Sequence, residues 1–171
     1  MGLFDLFKKK SKKSISEPIA TSANVKKDIS VEKHKVTGTS NYTENILEFR
    51  IENCYYSCTK KELIEEGTVN EKIFEYEFYP DKIELIPEPE NPHDPKAIKV
   101  VADSILVGYI KAGSCSHIRN LLNNDRIVKI DYEIGGGNYK YLQCDDEERY
   151  TLKEGNCPYF INLFITVKNE Q

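Results

Sequence analysis

The chain lacks what would carry it into or across a membrane. No apolar run approaches the ~20 residues of a spanning helix, and the N-terminus has neither the apolar stretch nor the small-residue cleavage site of a secretion signal. The expectation is a cytoplasmic protein. It also lacks the common catalytic constellations. There is no serine, histidine and acid arrangement, no phosphate loop with its lysine and no helicase motor, so neither ATP hydrolysis by this chain nor any other catalysis is expected, and no cofactor is called for. Cysteine is scarce and odd in number. Cys54, Cys58, Cys115, Cys144 and Cys157 contain no Cys-x-x-Cys knuckle, which points to reduced thiols and not to a disulfide framework or a zinc site. His93 and His117 stand far apart with no evident third ligand, so no metal site is expected.

A second hydrophobic block is also missing from the 171 residues, which favours one domain, residues 36–171, behind a basic tail, residues 1–35. The net charge of −4 conceals an asymmetry. The tail carries nine Lys against four Asp and Glu, or +5, leaving fifteen Lys and Arg against twenty-four acids, or −9, on the rest. That charge argues against a broad phosphate-binding surface on the domain, so any nucleic-acid site must be local. In the tail an apolar cluster, Leu3, Phe4, Leu6 and Phe7, runs directly into Lys8, Lys9, Lys10, Lys12 and Lys13. A solvated, mobile tail is the simplest expectation, because residues 8–35 hold too little apolar surface to offset ordering. Two functional readings compete with it: contact of Met1 to Lys13 with an anionic membrane surface, and nonspecific attraction of the lysines to DNA.

The rest reads as mainly β with two short helices. A first strand is expected over His34–Thr39 and a second over Asn45–Ile51. A helix over Cys58–Glu66 opens on a capping box, Thr59 with Glu62, and closes at Gly67. Ile73–Tyr79 and Ile83–Pro87 alternate apolar with charged residues, as half-buried strands do. Ala97–Ala102 and Ile105–Ile110 form a hairpin around Asp103-Ser104, and Gly108 within it predicts a bulge or a close backbone approach by a ligand. Ser114 is read as the N-cap of a second helix with Cys115, Ile118, Leu121 and Leu122 on one face. The remainder is expected as strands Ile127–Ile134, Tyr139–Gln143, Tyr150–Lys153 and Tyr159–Val167, with Gly135 to Asn138 supplying a hairpin turn.

The most informative stretch is Pro87-Glu-Pro-Glu-Asn-Pro-His-Asp-Pro-Lys-Ala-Ile-Lys-Val-Val101, continuing to Val107-Gly-Tyr-Ile110. Prolines after Asn91 and Asp94 push both residues into extended geometry, holding an amide and a carboxylate at a fixed separation. A purely structural turn is the competing reading, since Asn and Asp often bond their own backbone two residues on. The whole string, with its Asn-Pro-x-Asp-x-x-Ala-Ile-x-Val core, closely resembles the HIRAN domain, over about residues 83–122 and by extension from Val36 to the C-terminus. That family comprises small OB-like β-barrels at the front of some chromatin-remodelling-type DNA helicases, and standalone proteins of bacteria and phages.

The resemblance implies binding of single-stranded DNA at a free 3′ end, in DNA repair or replication-fork processing, alongside a helicase or nuclease partner. It places Tyr109 at the site with Asn91 and Asp94. Asp94 suits a sugar hydroxyl and would be repelled by phosphate, while Asn91 can donate and accept. His93 is read as an exposed loop residue that contacts a base. Tyr42 is the favoured stacking platform over the Tyr55-Tyr56 pair. Where the family's pattern has an arginine and two aromatics after Gly38, this chain has Thr39-Ser40-Asn41-Tyr42. Lys96, Lys99, Lys111 and Arg119 are the candidate replacement cations, with Lys111 included in the expected site, although a lysine does not reproduce arginine's two-pronged phosphate contact. The second functional hypothesis is a protein-interaction or membrane-associated adaptor that works through Met1 to Lys13.

Overall fold

The computed structural model describes residues 28–169, so the readings that fall on residues 1–27, including the Met1 to Lys13 segment, lie outside the described residues. Nine strands and three short helices follow in order: β1 (Ile29–Thr37), α1 (Thr43–Leu47), β2 (Arg50–Glu52), α2 (Lys60–Glu65), β3 (Lys72–Phe74), β4 (Tyr76–Phe78), β5 (Ile83–Pro87), β6 (Ile98–Ala102), β7 (Ile105–Ile110), α3 (Ala112–Asn123), β8 (Ile127–Cys144) and β9 (Tyr150–Lys168). Seven strands form one antiparallel sheet in the order β3-β8-β9-β1-β7-β6-β5, and β2 pairs with β4 in a separate ribbon. The expected closed barrel is not formed. The sheet curls until β5 lies against β8, but no ladder joins its two end strands among the described residues. Across that gap the Tyr132 hydroxyl donates to the Pro80 carbonyl at 2.6 Å.

The mainly β class and several individual elements agree with the sequence, and the departures have local causes. β1 begins at Ile29, ahead of His34, and ends at Thr37, because Gly38 at φ 76° turns the chain into a 3-10 helix over Thr39–Tyr42. Asn45–Ile51 is not one strand. Ile46 is buried and the Asn45 amide donates to the Leu106 carbonyl at 2.7 Å, anchoring the single turn of α1 on β7, which makes three helices and not two. α2 has the full capping box, Thr59 with Glu62, and buries Leu63. Ile73–Tyr79 splits at Glu75 into β3 and β4, which belong to different sheets. Ser114 lies inside α3, whose N-cap is Lys111.

The glycine run is the largest departure. β8 passes straight through Gly135 to Asn138, paired with β9 on both sides of a register shift between Gly135 and Gly137. The run is a bulge in a long two-stranded arm and not a hairpin turn. The four expected strands are accordingly two continuous ones, β8 and β9. Gly108 also marks a shifted register, between β6 and β7. A Cβ there would stand 2.5 Å from Val36 Cγ1 and 2.8 Å from the Thr37 carbonyl oxygen, so the close approach is by β1 and not by a ligand.

The main core fills the inside of the curled sheet. α3 crosses it with Cys115, Ile118 and Leu121 inward, against a set that includes Val36, Ile98, Val107, Ile161 and Leu163. Each fully buried branched side chain contributes about 1.5–3 kcal/mol by leaving water. A smaller cluster of Leu63, Ile73 and Leu142 lies under α2 at the far end of the β8–β9 arm.

A polar latch also joins α3 to β1. The Glu32 carboxylate lies 2.8 Å from His117 Nε2 and 3.1 Å from His34 Nε2. Burial pushes the Glu32 carboxyl up, but the two imidazoles together outweigh it and hold the group below its ordinary value. A depressed carboxylate stabilises the fold above its unfolded pKa and loses that contribution as pH falls through the folded one. Glu32→Gln is therefore expected to lower stability above the ordinary carboxyl value of 4.5, with the difference closing as pH falls below it. Urea unfolding midpoints across that range read the effect, and a difference unchanged at the acid end would rule the latch out.

Candidate nucleic-acid interface

The loop between β5 and β6 is held by its own backbone and polar side chains together. Its neck closes through Glu88 N–H to the Ala97 carbonyl at 2.9 Å. Asn91 Oδ1 accepts from the backbone N–H groups of His93 and Asp94 at 2.9 and 3.0 Å, while Asn91 Nδ2 donates to Glu88 Oε2 at 2.7 Å. Asp94 Oδ1 accepts from Lys96 N–H at 2.8 Å. Both are the self-bonded turns that proline-restricted Asn and Asp favour. Asn91 thus shapes the loop with its carbonyl oxygen and one amide hydrogen. Asp94 retains Oδ2 without a hydrogen bond among the described residues.

Strand register brings the remaining groups together. Thr37 on β1 is opposite Tyr109 on β7, Tyr109 is opposite Lys99 on β6, and Lys99 is opposite Ile86 on β5, so the four form one row on the outer face. Glu88 is the hub beside that row. Its Oε1 pairs with Lys99 Nζ at 2.5 Å, and its Oε2 accepts from the Tyr109 hydroxyl at 3.2 Å as well as from Asn91. Lys99 above all, then Asn91, holds the Glu88 carboxyl below its ordinary range. Tyr109 moves the other way, pushed up to about 12 by burial, by the neighbouring Tyr42 hydroxyl and by Glu88, so it remains a neutral phenol.

Tyr42 joins the row through the turn at Gly38. The 3-10 helix that carries it is pinned where Thr39 Oγ1 donates to the Tyr159 carbonyl at 2.9 Å. The Tyr42 and Tyr109 rings then lie with centroids 6.2 Å apart and planes tilted by 48°. Tyr55 and Tyr56 are elsewhere: they stand in a 3-10 helix over Cys54–Ser57, with Tyr56 packed on the Leu63 cluster under the Lys140 ammonium.

His93 and Lys111 are exposed, and neither ring nor ammonium forms a hydrogen bond or ion pair among the described residues. Arg119 reaches the loop from α3, donating through Nη2 to the Pro95 carbonyl at 3.1 Å, while its Nε is buried without a partner. The structure therefore gathers Asn91, Tyr109 and Tyr42 around Glu88 and Lys99 and puts the Arg119 guanidinium under the loop, while Asp94 shares the loop and its charge, after burial, pushes up the Cys115 thiol on α3. Glu88 escaped the sequence reading, and Lys99 entered it only as a candidate replacement cation. Their roles depend on cross-strand register, and the only trace in sequence is an acid three residues before Asn91.

Two half-buried rings, one of them a neutral phenol, and one partly exposed ammonium make a surface suited to a flat group, and the adjoining loop carries the Asp94 carboxylate that suits a hydroxyl. Its single ammonium, already paired with Glu88, gives phosphate little to bind. Comparison with known proteins returns no matching family model, no similar curated protein and no similar solved structure.

Proposed function

We propose that this chain is a non-catalytic nucleic-acid-binding module of the HIRAN type that takes the 3′ end of single-stranded DNA, and that its curled sheet is an opened relative of that family's barrel. The observation that carries the reading is the Tyr42–Tyr109 ring pair beside the Asn91–Asp94 loop. A terminal base stacks on the rings, at about 1–3 kcal/mol per stacked base, and the terminal sugar hydroxyl donates to Asp94 Oδ2. The −9 charge of residues 36–171 opposes contact along the phosphate backbone and so favours the end over the interior. Action in repair or fork processing, beside a helicase or nuclease, follows from the same reading.

The test is binding of short oligonucleotides that differ only in a free or phosphorylated 3′ hydroxyl. The free end is expected to bind about tenfold more tightly, with a shallow salt slope reflecting about one to three phosphate contacts. Equal affinity for the two ends would defeat end recognition. A large loss on deleting residues 1–27, which leaves β1 whole, would move binding to the lysine segment.

A further inference from the structure

A second surface shares no residue with the Tyr42–Tyr109 patch. Between β4 and the outer edge of β8 lies an open cleft of about 800 Å³. Five aromatic residues line it, Phe74, Tyr76, Phe78, Tyr79 and Tyr132, of which Phe78 is buried in the main core. Three carboxylates, Glu77, Asp131 and Glu133, also line it, each with a partner: Glu77 accepts from the Tyr79 hydroxyl, Asp131 pairs with Lys129 Nζ at 2.6 Å and Glu133 accepts from Asn162 Nδ2 at 2.9 Å, while Lys72 is the ammonium of the lining. That ammonium is already engaged over the Tyr139 ring at 4.1 Å. The strand edge here is open too, because β3 covers β8 only at Tyr139–Tyr141 and no strand pairs with that edge beside Asp131 to Ile134 among the described residues. Aromatic faces and carboxylates together favour cations on an apolar or extended carrier.

We propose that this cleft is the intramolecular docking site of the N-terminal segment Leu3 to Lys13. The complementarity is twofold. Leu3, Phe4, Leu6 and Phe7 supply apolar and aromatic groups for the ring-lined floor, and the five lysines that follow compete with Lys129 and the neutral donors for the three carboxylates. Reach is sufficient. Lys33, Phe164 and Asp131 are cross-strand partners, so Asp131 lies four residues along and two strands across from Ile29, about 13 Å by about 10 Å. The fourteen residues Ser14 to Lys27 can span up to about 50 Å. Tethering over that length places the segment at an effective concentration on the order of millimolar, so weak contacts suffice to fill the cleft. Docking also neutralises acids on the domain and withdraws the lysines from DNA and from membranes until a stronger anion competes.

Zero-length carbodiimide crosslinking of the full chain at low concentration tests this. Lys8 to Lys13 are expected to join Glu77, Asp131 or Glu133 within the monomer, about fivefold more often than exposed acids elsewhere such as Glu147. In the variant Glu77→Gln/Asp131→Asn/Glu133→Gln, trypsin should cut after those lysines about fivefold faster, with the melting temperature recorded alongside. Crosslinks spread evenly over the surface acids would overturn the proposal, as would unchanged cutting in a folded variant. Crosslinks found only in covalent dimers would overturn the intramolecular assignment and give the cleft to a second copy.

Discussion

Gly136→Ala is expected to remove about 4 kcal/mol of folding free energy, a large part of the 5–15 kcal/mol that holds a domain of this kind together. The new Cβ would stand 2.4 Å from Tyr159 Cα, 2.6 Å from the Pro158 carbonyl oxygen and 2.8 Å from Tyr159 N. All three are backbone atoms of β9, so no side-chain rotation relieves the contact. The residue also sits at φ 121°, where an L side chain is strained independently of its surroundings. Overpacking of about 1–3 kcal/mol and backbone strain of similar size combine here. The protein could escape only by opening the ladder or slipping its register, and a one-residue slip would turn Ile161, Leu163 and Ile165 out of the core. Urea unfolding gives the measurement, with Gly113→Ala as the control. Gly113 lies in α3 with nothing within 4 Å of its added Cβ, so that change should stabilise the fold by about 0.5 kcal/mol. A Gly136→Ala midpoint close to that of the unsubstituted chain would mean that the bulge is not a requirement of the fold.

The same glycines show where sequence reasoning stops. Three glycines before an asparagine carry the chemistry of a tight turn, and nothing within eight residues contradicts a hairpin. What decides the matter lies on another strand: Gly135 leaves room for the Phe160 ring, and Gly137 for the Tyr159 ring. Asn45–Ile51 fails for a similar reason, since the short α1 turn depends on an amide reaching Leu106 on a distant strand. Elements whose signals are local fare better. The capping box of α2, the β5 alternation and the β6–β7 hairpin at Asp103-Ser104 all stand where their own residues place them. At the candidate site the split falls along the same line. Asn91 and Asp94 are legible as residues of a stiff loop because Pro92 and Pro95, each directly after one of them and directly before its partner His93 or Lys96, fix them locally. Glu88 is not legible, because its three partners converge only through the pairing of Tyr109 with Lys99.

Tyr109→Ala is expected to weaken oligonucleotide binding about 10- to 100-fold, the range set by losing one stacked base and part of a second. The change removes a ring from a pair at 6.2 Å and leaves Glu88 with Lys99 and Asn91 as partners, so the loop keeps its main supports. Tyr109→Phe separates the two contributions. It retains the stacking face and gives up only the hydroxyl that donates to Glu88, so binding should fall by no more than about threefold. Tyr42→Ala alone should resemble Tyr109→Ala, but the double variant should lose less than the product of the two, because one ring cannot hold a base in place once its neighbour has gone. Fluorescence anisotropy with a labelled single strand reads all four proteins, and far-ultraviolet circular dichroism checks that each is folded. Independent, fully multiplicative losses would show that the rings do not form one platform. Unchanged affinity in a folded Tyr109→Ala protein would remove the strand end from this surface altogether.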